Sequence, residues 1–317
     1  MIRALIIRRA ATGLLILWLV SVLVFVAIHL LPGNAAIALL GHDATPFTLK
    51  VLTKQLGLDQ PLPDQYGHWL GGLLTGHWGT SLVSSLSVSR IVFTHLEYTG
   101  VLTLLSMAVM APVAVIVGTY SAVRHGRPVD GVVSAFTLCL SAMPSFAVGI
   151  LVIYLLATNV FHVLPAASIV NPAASIWSQL EFTIAPTITV VLSTLPYPIR
   201  MIRASMIDVM QADYVQMARL KGLPERQVVL RHALRNGLAP MTQALALTLL
   251  FLSGGVIVVE TIFSYPGIGY ALVQAVEQRD VPVIQTVVVL LAAVCVVINF
   301  LADLAVIMLT PRLRAAL

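Results

Sequence analysis

Apolar residues in this chain come in long unbroken runs, not in the short alternations of a half-buried sheet. Six runs reach or approach the roughly 20 residues that a helix needs to cross a hydrocarbon core of about 30 Å. They lie at about 10–31, 97–123, 132–157, 182–202, 238–259 and 283–309. The period-2 pattern of a membrane barrel is absent. The pattern therefore predicts an all-α integral membrane protein with six transmembrane helices. Two stretches between runs are too long to be plain connectors, an outer loop region at 32–96 and a second loop at 204–237. The outer region carries helical pattern and turn signals and is expected to form a small external cap. The first run follows Arg8 and Arg9, and Ala36-Ile37-Ala38 has the form of a cleavage site. Its apolar length of about 22 residues exceeds the usual 7–15 of a signal core, so it reads as a retained span. Prolines recur within or at the edges of the runs at Pro112, Pro144, Pro186, Pro196 and Pro198. Each frees a backbone carbonyl that neighbours must satisfy. Interrupted helices often line translocation routes, and proline is also common in membrane helices, so both readings stand.

Charge fixes the orientation. Only 10% of the 317 residues are charged and 59% are hydrophobic, against about 25% charged in an average soluble domain. With the N-terminus inside, the inner segments hold Arg3, Arg8, Arg9, Arg124, Arg127, Arg312, Arg314 and seven basic residues from Arg200 to Arg235. The outer segments hold Lys50, Lys54, Arg90 and Arg279. A split of 14 to 4 among the 18 Lys and Arg predicts that both termini are cytoplasmic. The net charge of +5 is then a topology signal and not a nucleic-acid footprint. Cys139 and Cys295 both lie in apolar runs and read as small buried apolar residues.

The cytoplasmic loop is the informative segment. Asp213 is placed to cap a short helix over about 214–221, with Gly222 as its left-handed terminator and Pro224 preventing continuation. A second helix is expected over about 225–235, leading into the fifth span. Tyr214, Met217, Ala218 and Lys221 follow i, i+3, i+4, i+7 spacing and share a face. The result is a short rigid knob at the inner surface. It suits either a groove on a partner protein or, as a basic amphipathic helix, the anionic lipid surface.

The loop carries a resemblance. Asp213-Tyr214-Val215, Ala218-Arg219-Leu220-Lys221-Gly222-Leu223-Pro224 and Arg231-His232-Ala233-Leu234-Arg235-Asn236 resemble the coupling loop of ATP-binding-cassette importer permeases, specifically the B-type permease of dipeptide, oligopeptide and nickel importers. The similarity covers nearly the whole chain. It extends through Leu31-Pro32-Gly33-Asn34, Leu56-Gly57-Leu58-Asp59-Gln60-Pro61-Leu62, Gly79-Thr80-Ser81, Glu260 to Gly269, Arg279-Asp280 and Pro311-Arg312. Departures are local. Asn34 and Thr310 stand where an acid is more usual, and the general Glu-Ala-Ala start of the loop motif is replaced by Gln216-Met217-Ala218.

The resemblance implies a type I importer permease fold in a bacterial cytoplasmic membrane. It implies a second homologous permease, two ATP-binding-cassette ATPase domains and an external substrate-binding protein as partners, within membrane lipid and without nucleic acid. It implies coupling-loop roles for Asp213, Tyr214, Met217, Ala218, Lys221, Gly222, Arg231 and His232. The chain has no G-x-x-x-x-G-K-[ST] loop, so ATP and Mg²⁺ are expected on the partners and no cofactor on this chain. No H-E-x-x-H, G-x-S-x-G or C-x-x-C is present, the eight histidines are scattered, and no catalytic or metal site is expected.

Three polar residues in or near the spans remain to be weighed. Glu260 ends the fifth span on the outer side, for gating, helix capping or substrate contact. Asn299 and Asp303 lie one turn apart on the sixth and read as an interhelical polar clamp before a proton relay. Gly254-Gly255 permits close packing or a bend. The rival from another class is an ion-gradient-driven secondary transporter or channel acting without an ATPase. It lacks a clear inverted repeat and leaves the capped basic loop unexplained.

Overall fold

The computed structural model describes residues 2–30, 59–158, 160–171 and 174–309, with positions 45, 47 and 50. In chain order the helices discussed are α1 (Ile2–Leu30), α2 (Leu62–Thr75), α3 (Val88–Val123), α4 (Pro128–Ala142), α5 (Ser145–Val152), α6 (Glu181–Thr194), α7 (Pro196–Met210), α8 (Asp213–Leu220), α9 (Leu234–Ile262), α10 (Ile268–Glu277) and α11 (Val281–Leu309). Among the described residues, the Thr80–Ser87 bridge is the one pairing of extended backbone.

Three helices, α1, α3 and α11, are each long and apolar enough to cross a membrane. Three bent pairs bring the total to as many as six if each pair is one span. The bends have local causes. Between α4 and α5 the axis turns by 103°. Met143 is extended there (ψ 126°), as the residue before a proline prefers, and Pro144 has no N–H to continue the ladder. Between α6 and α7 the turn is 44°. Leu195 stays helical and donates its N–H to the Val191 carbonyl, so Pro196 kinks the chain without interrupting its course. In α9 the two halves Pro240–Leu252 and Val256–Ile262 meet at 46°, across the Gly254-Gly255 pair.

The helices outrun their apolar cores. α3 starts at Val88 where the apolar run suggested 97, and α7 continues to Met210 past the expected 202. Backbone hydrogen bonding continues beyond the hydrocarbon wherever local residues tolerate it, so apolar length marks a minimum. Leu14, Leu23, Leu104 and Ile116 are exposed on α1 and α3. Such side chains would each forgo about 1.5–3 kcal/mol of burial in water, and lipid removes that cost. Cys139 is also exposed and Cys295 only half-buried, so neither is the buried core residue the sequence suggested. On a lipid-facing helix an apolar residue need not be covered by protein.

Contacts divide the chain into two units. One comprises 1–3, 100–265 and 297–317. At its centre α7 packs along α9, with α5 and α6 against α9 and α4 against α7. Two glycines permit the approach to α7. A Cβ on Gly118 would stand 3.0 Å from the Ile199 carbonyl oxygen and 3.0 Å from Ile202 Cγ2, and one on Gly237 3.1 Å from Met206 Sδ.

The other unit comprises 4–99 and 266–296. Its core is formed by Val88, Val92, Ile268, Ala275, Val283 and Val287. In the expected external region, α2 is held to α1 by a 2.8 Å hydrogen bond between the Tyr66 and Ser21 hydroxyls and by Phe25 against Tyr66 and Trp69. Leu31-Pro32-Gly33-Asn34, Ala36-Ile37-Ala38, Leu56–Leu58, Thr310 and Pro311-Arg312 lie outside the described residues.

Candidate functional site

The loop between α7 and α9 forms the knob that its sequence suggests, with two corrections. α8 begins one residue early, and Ala212, in extended conformation, occupies the cap position with no side-chain cap bond. Asp213 is therefore in the first turn, where its charge still favours the positive helix end. The C-terminus closes as a complete Schellman motif. Gly222 adopts φ +78°, its N–H donates to Arg219 O at 2.9 Å, and the Leu223 N–H donates to Ala218 O at 3.4 Å. Arg219 then grips Glu225 across the turn at 2.7 and 3.2 Å. At this exposure the pair adds little stability by itself, but it joins the two sides of the turn.

The second correction concerns the face. Ala218 is 5% exposed and Val215 is fully buried; both belong to the inward face of a helix that packs against α7 and the turn at Val228–Ala233. The outward face presents Tyr214, Met217 and Leu220, the last 82% exposed, with Lys221 beside them. The i, i+3, i+4, i+7 stripe spans an arc wide enough to include both sides, and the spacing alone does not say which edge faces in.

The expected second helix is a short α turn at Glu225–Gln227, a π turn at Val228–Ala233 and then α9. Buried positions follow that geometry. Val228 and Ala233 are five apart, whereas Ala233, Gly237, Met241, Ala244, Thr248 and Leu252 are three or four apart. Arg231, half-buried His232 and Arg235 line an open groove of about 750 Å³ with Gln227, Leu230 and Leu234. The groove is basic and lies on the same loop as the α8 knob.

The other polar candidates are dispersed. Glu260 is fully buried near the end of α9, and its backbone carbonyl accepts from the Tyr265 N–H at 2.8 Å. Asn299 is exposed and Asp303 part-buried, one turn apart on α11. The structure does not gather these residues with the loop residues into one site.

Two junctions escaped the sequence reading. Asp130, 4% exposed in the first turn of α4, gathers donors from three segments. Arg203 on α7 donates through Nε at 2.6 Å and Nη2 at 2.8 Å, Ser121 Oγ donates at 2.6 Å, and the Gly126 N–H donates at 3.1 Å. His125 Nδ1 lies 3.0 Å from the same carboxylate and donates when its proton is on that nitrogen. The available signal was an acid two residues before an apolar run, hidden by counting it as loop. The second junction joins motifs matched separately. Asp280, also 4% exposed, accepts from the Ser81 hydroxyl and from the Leu82 N–H at 3.1 Å. Gly79-Thr80-Ser81 and Arg279-Asp280 are thus the two halves of one contact.

The three bends share a further feature. A cavity of about 340 Å³ is lined by Met143 and Ser145 at the first bend, Ser193 and Tyr197 at the second, and Leu252 and Val256 at the third. The lining is apolar with hydroxyl groups and carries no charged side chain. Among the described residues there is no group of three or more His, Cys, Asp or Glu able to hold a metal ion.

Comparison with known proteins agrees with this architecture. Residues 114–315 match the family described as binding-protein-dependent transport system inner membrane component, and residues 1–90 match the N-terminal region of such membrane components. The chain is 38% identical over 301 residues to a glutathione transport system permease protein of Pectobacterium atrosepticum, covering 94% of each chain. It is 32% identical over 309 residues, covering 98% of each, to a Sinorhizobium fredii protein named "Probable peptide ABC transporter permease protein y4tP". It is 35% identical over 298 residues, covering 94% of each, to a glutathione transport system permease protein of Salmonella typhi. Together with its apolar helices, these matches make it a multi-pass inner-membrane protein. The chain belongs to the family of inner-membrane components of binding-protein-dependent transport systems.

Proposed function

We propose that this chain is one of two similar permease subunits in an ATP-driven importer of peptides, and that it forms half of the translocation path. An external binding protein delivers the substrate, and two ATPase domains bind beneath, carrying the ATP and Mg²⁺. The permease supplies no catalytic group and no cofactor site of its own. Both termini face the cytoplasm, following the 14-to-4 distribution of basic residues. The peptide assignment draws on the printed names of the relatives, glutathione being itself a tripeptide. The cavity where the three bent pairs converge is this chain's share of the path, because uncharged, hydroxyl-bearing walls can accommodate peptide groups without fixing one side-chain type.

One observation carries the coupling role. α8 exposes Tyr214, Met217 and Leu220 from a polar loop while both of its ends are fixed. Apolar side chains so displayed suit a groove on a partner. Closure of the ATPases on ATP would then move α8 and switch the path from inward-facing to outward-facing. The test pairs Met217→Glu with Leu220→Glu and measures recovery of co-expressed ATPase subunits with the membrane-inserted chain. Recovery is expected to fall by roughly 30-fold, the scale of a lost interface hot spot, with insertion unchanged. Normal recovery and normal ATP-driven uptake would overturn the docking role. Ala218→Arg is a poorer probe than its spacing suggested, because it would disrupt the inward packing of α8 itself. A chain that transports on an ion gradient with no ATPase attached would establish the rival reading.

A further inference from the structure

The α7 helix has more attachments than a simple span requires. At its C-terminal end it passes through Gln211 and Ala212 directly into α8. That passage is short and bonded throughout. The Gln211 N–H donates to Ile207 O and Asp208 O, the Ala212 N–H donates to Val209 O, and Gln216 Nε2 donates back to Gln211 O at 3.1 Å. Along its length α7 is approached closely by α3 at Gly118 and by α9 at Gly237. From the same helix Arg203 reaches Asp130 in a bidentate pair, and the same carboxylate is held by Ser121 at the end of α3 and by Gly126 in the turn before α4.

We propose that Asp130 and Arg203 form a latch that makes the α3–α4 turn move as one body with α7 and the α8 knob, so that a displacement of α8 reaches the spans. Both are positioning residues, since neither contacts substrate or nucleotide. The inference rests on the coupling role of α8. Its physical basis is the number and direction of the donors. A carboxylate that is almost wholly buried and receives four donors from three segments, beside a histidine that can add a fifth, has one arrangement in which all are satisfied. Two parallel N–H···O bonds from a planar guanidinium fix orientation as well as distance, which a single contact would not. Separation of α7 from the turn would remove both Arg203 donors and leave the Asp130 charge without its ion-pair partner. Motion that keeps the pair intact is therefore favoured over motion that divides it. The pair lies at the foot of α4, which leads to the 103° bend and the cavity beyond it.

The test uses the assembled permease in lipid nanodiscs, with spin labels at two exposed positions, Gln216 on α8, which is not one of the docking side chains, and Val132 on α4. In the wild type the label separation should keep one narrow distribution with and without ATP. Asp130→Asn, which keeps the shape and removes the charge, should broaden that distribution. It should also raise ATP hydrolysed per substrate imported by about fivefold per assembled complex, within the range by which residues linking two sites alter coupling. Arg203→Lys, which retains charge but not the bidentate geometry, should fall between the two. A wild-type separation that shifts between nucleotide states would overturn the proposal. So would an Asp130→Asn variant that lowers only the yield of complex and leaves both the distribution and the stoichiometry unchanged. If the wild-type chain binds no ATPase at all, the coupling role fails. The latch is then judged by the effect of Asp130→Asn on the distance distribution in the chain alone, where an unchanged distribution refutes it.

Discussion

Gly222 offers the sharpest test of how the α8 knob is closed. The residue sits at φ +78°, and a Cβ built there meets nothing within 4 Å. Substitution therefore carries no clash, and its cost is backbone conformation alone. For an L-residue the left-handed region costs roughly 1–2 kcal/mol. That weakens the Schellman closure by roughly 5- to 30-fold in equilibrium terms. Asparagine tolerates this region better than alanine, and a β-branched residue tolerates it worst. The series Gly222→Asn, Gly222→Ala and Gly222→Val should thus grade the loss in that order. The readout is hydrogen–deuterium exchange at the N–H groups of Gly222 and Leu223, which close the motif on Arg219 and Ala218. Exchange should accelerate slightly for Asn, by roughly 5- to 30-fold for Ala, and further for Val, and ATP-driven uptake should fall in the same order. Equal protection in the Ala and Asn variants would refute the argument, because sterics are absent and only φ distinguishes them.

Two further outcomes follow from packing and hydrogen bonding. Ser81→Ala removes the hydroxyl donor to Asp280 and leaves the carboxylate with the Leu82 N–H; a stability loss of about 1–3 kcal/mol is expected, read as a lower midpoint of thermal aggregation in detergent. Gly118→Ala forces a methyl to within 3.0 Å of the Ile199 carbonyl, and overpacking of this kind costs about 1–3 kcal/mol, visible as reduced yield of monodisperse protein by size-exclusion chromatography; wild-type behaviour would show that α3 and α7 are less closely held than the geometry states.

Apolar length located three spanning helices and the three bent pairs, and set apart the long connector between α7 and α9, because hydrocarbon thickness is a constraint the sequence must meet locally. It missed the helix ends, since backbone bonding extends beyond the membrane core. Pro144 and Pro196 were legible as interruptions, but not as a 103° corner and a 44° kink; the difference lies in whether the preceding residue stays helical. Gly222 was readable because one backbone conformation demands it. Ala218 was misplaced because amphipathic spacing defines a stripe and not the side from which a neighbour arrives. Asp130 and Arg203, 73 positions apart, and Ser81 and Asp280, 199 apart, pair only through the packing of distant segments. No local pattern encodes such pairs. Each member was visible singly, as an acid near an apolar run or a residue in a short matched motif.

The π turn at Val228–Ala233 makes the length of the loop as informative as its composition. A helix carries angular phase, about 100° per residue, so one surplus residue in an ordinary helix would rotate every later side chain off its partner. Here the surplus is absorbed within a single widened turn, which is why the buried spacing steps once by five before settling to threes and fours. A helical wheel drawn uniformly from Glu225 to Ile262 therefore smears two stripes that the molecule keeps in line. The turn acts as a phase corrector between the α8 loop and the long apolar helix that follows it. A one-residue change of length at this place would accordingly be taken up by the turn without rotating the rest of α9 away from α5, α6 and α7.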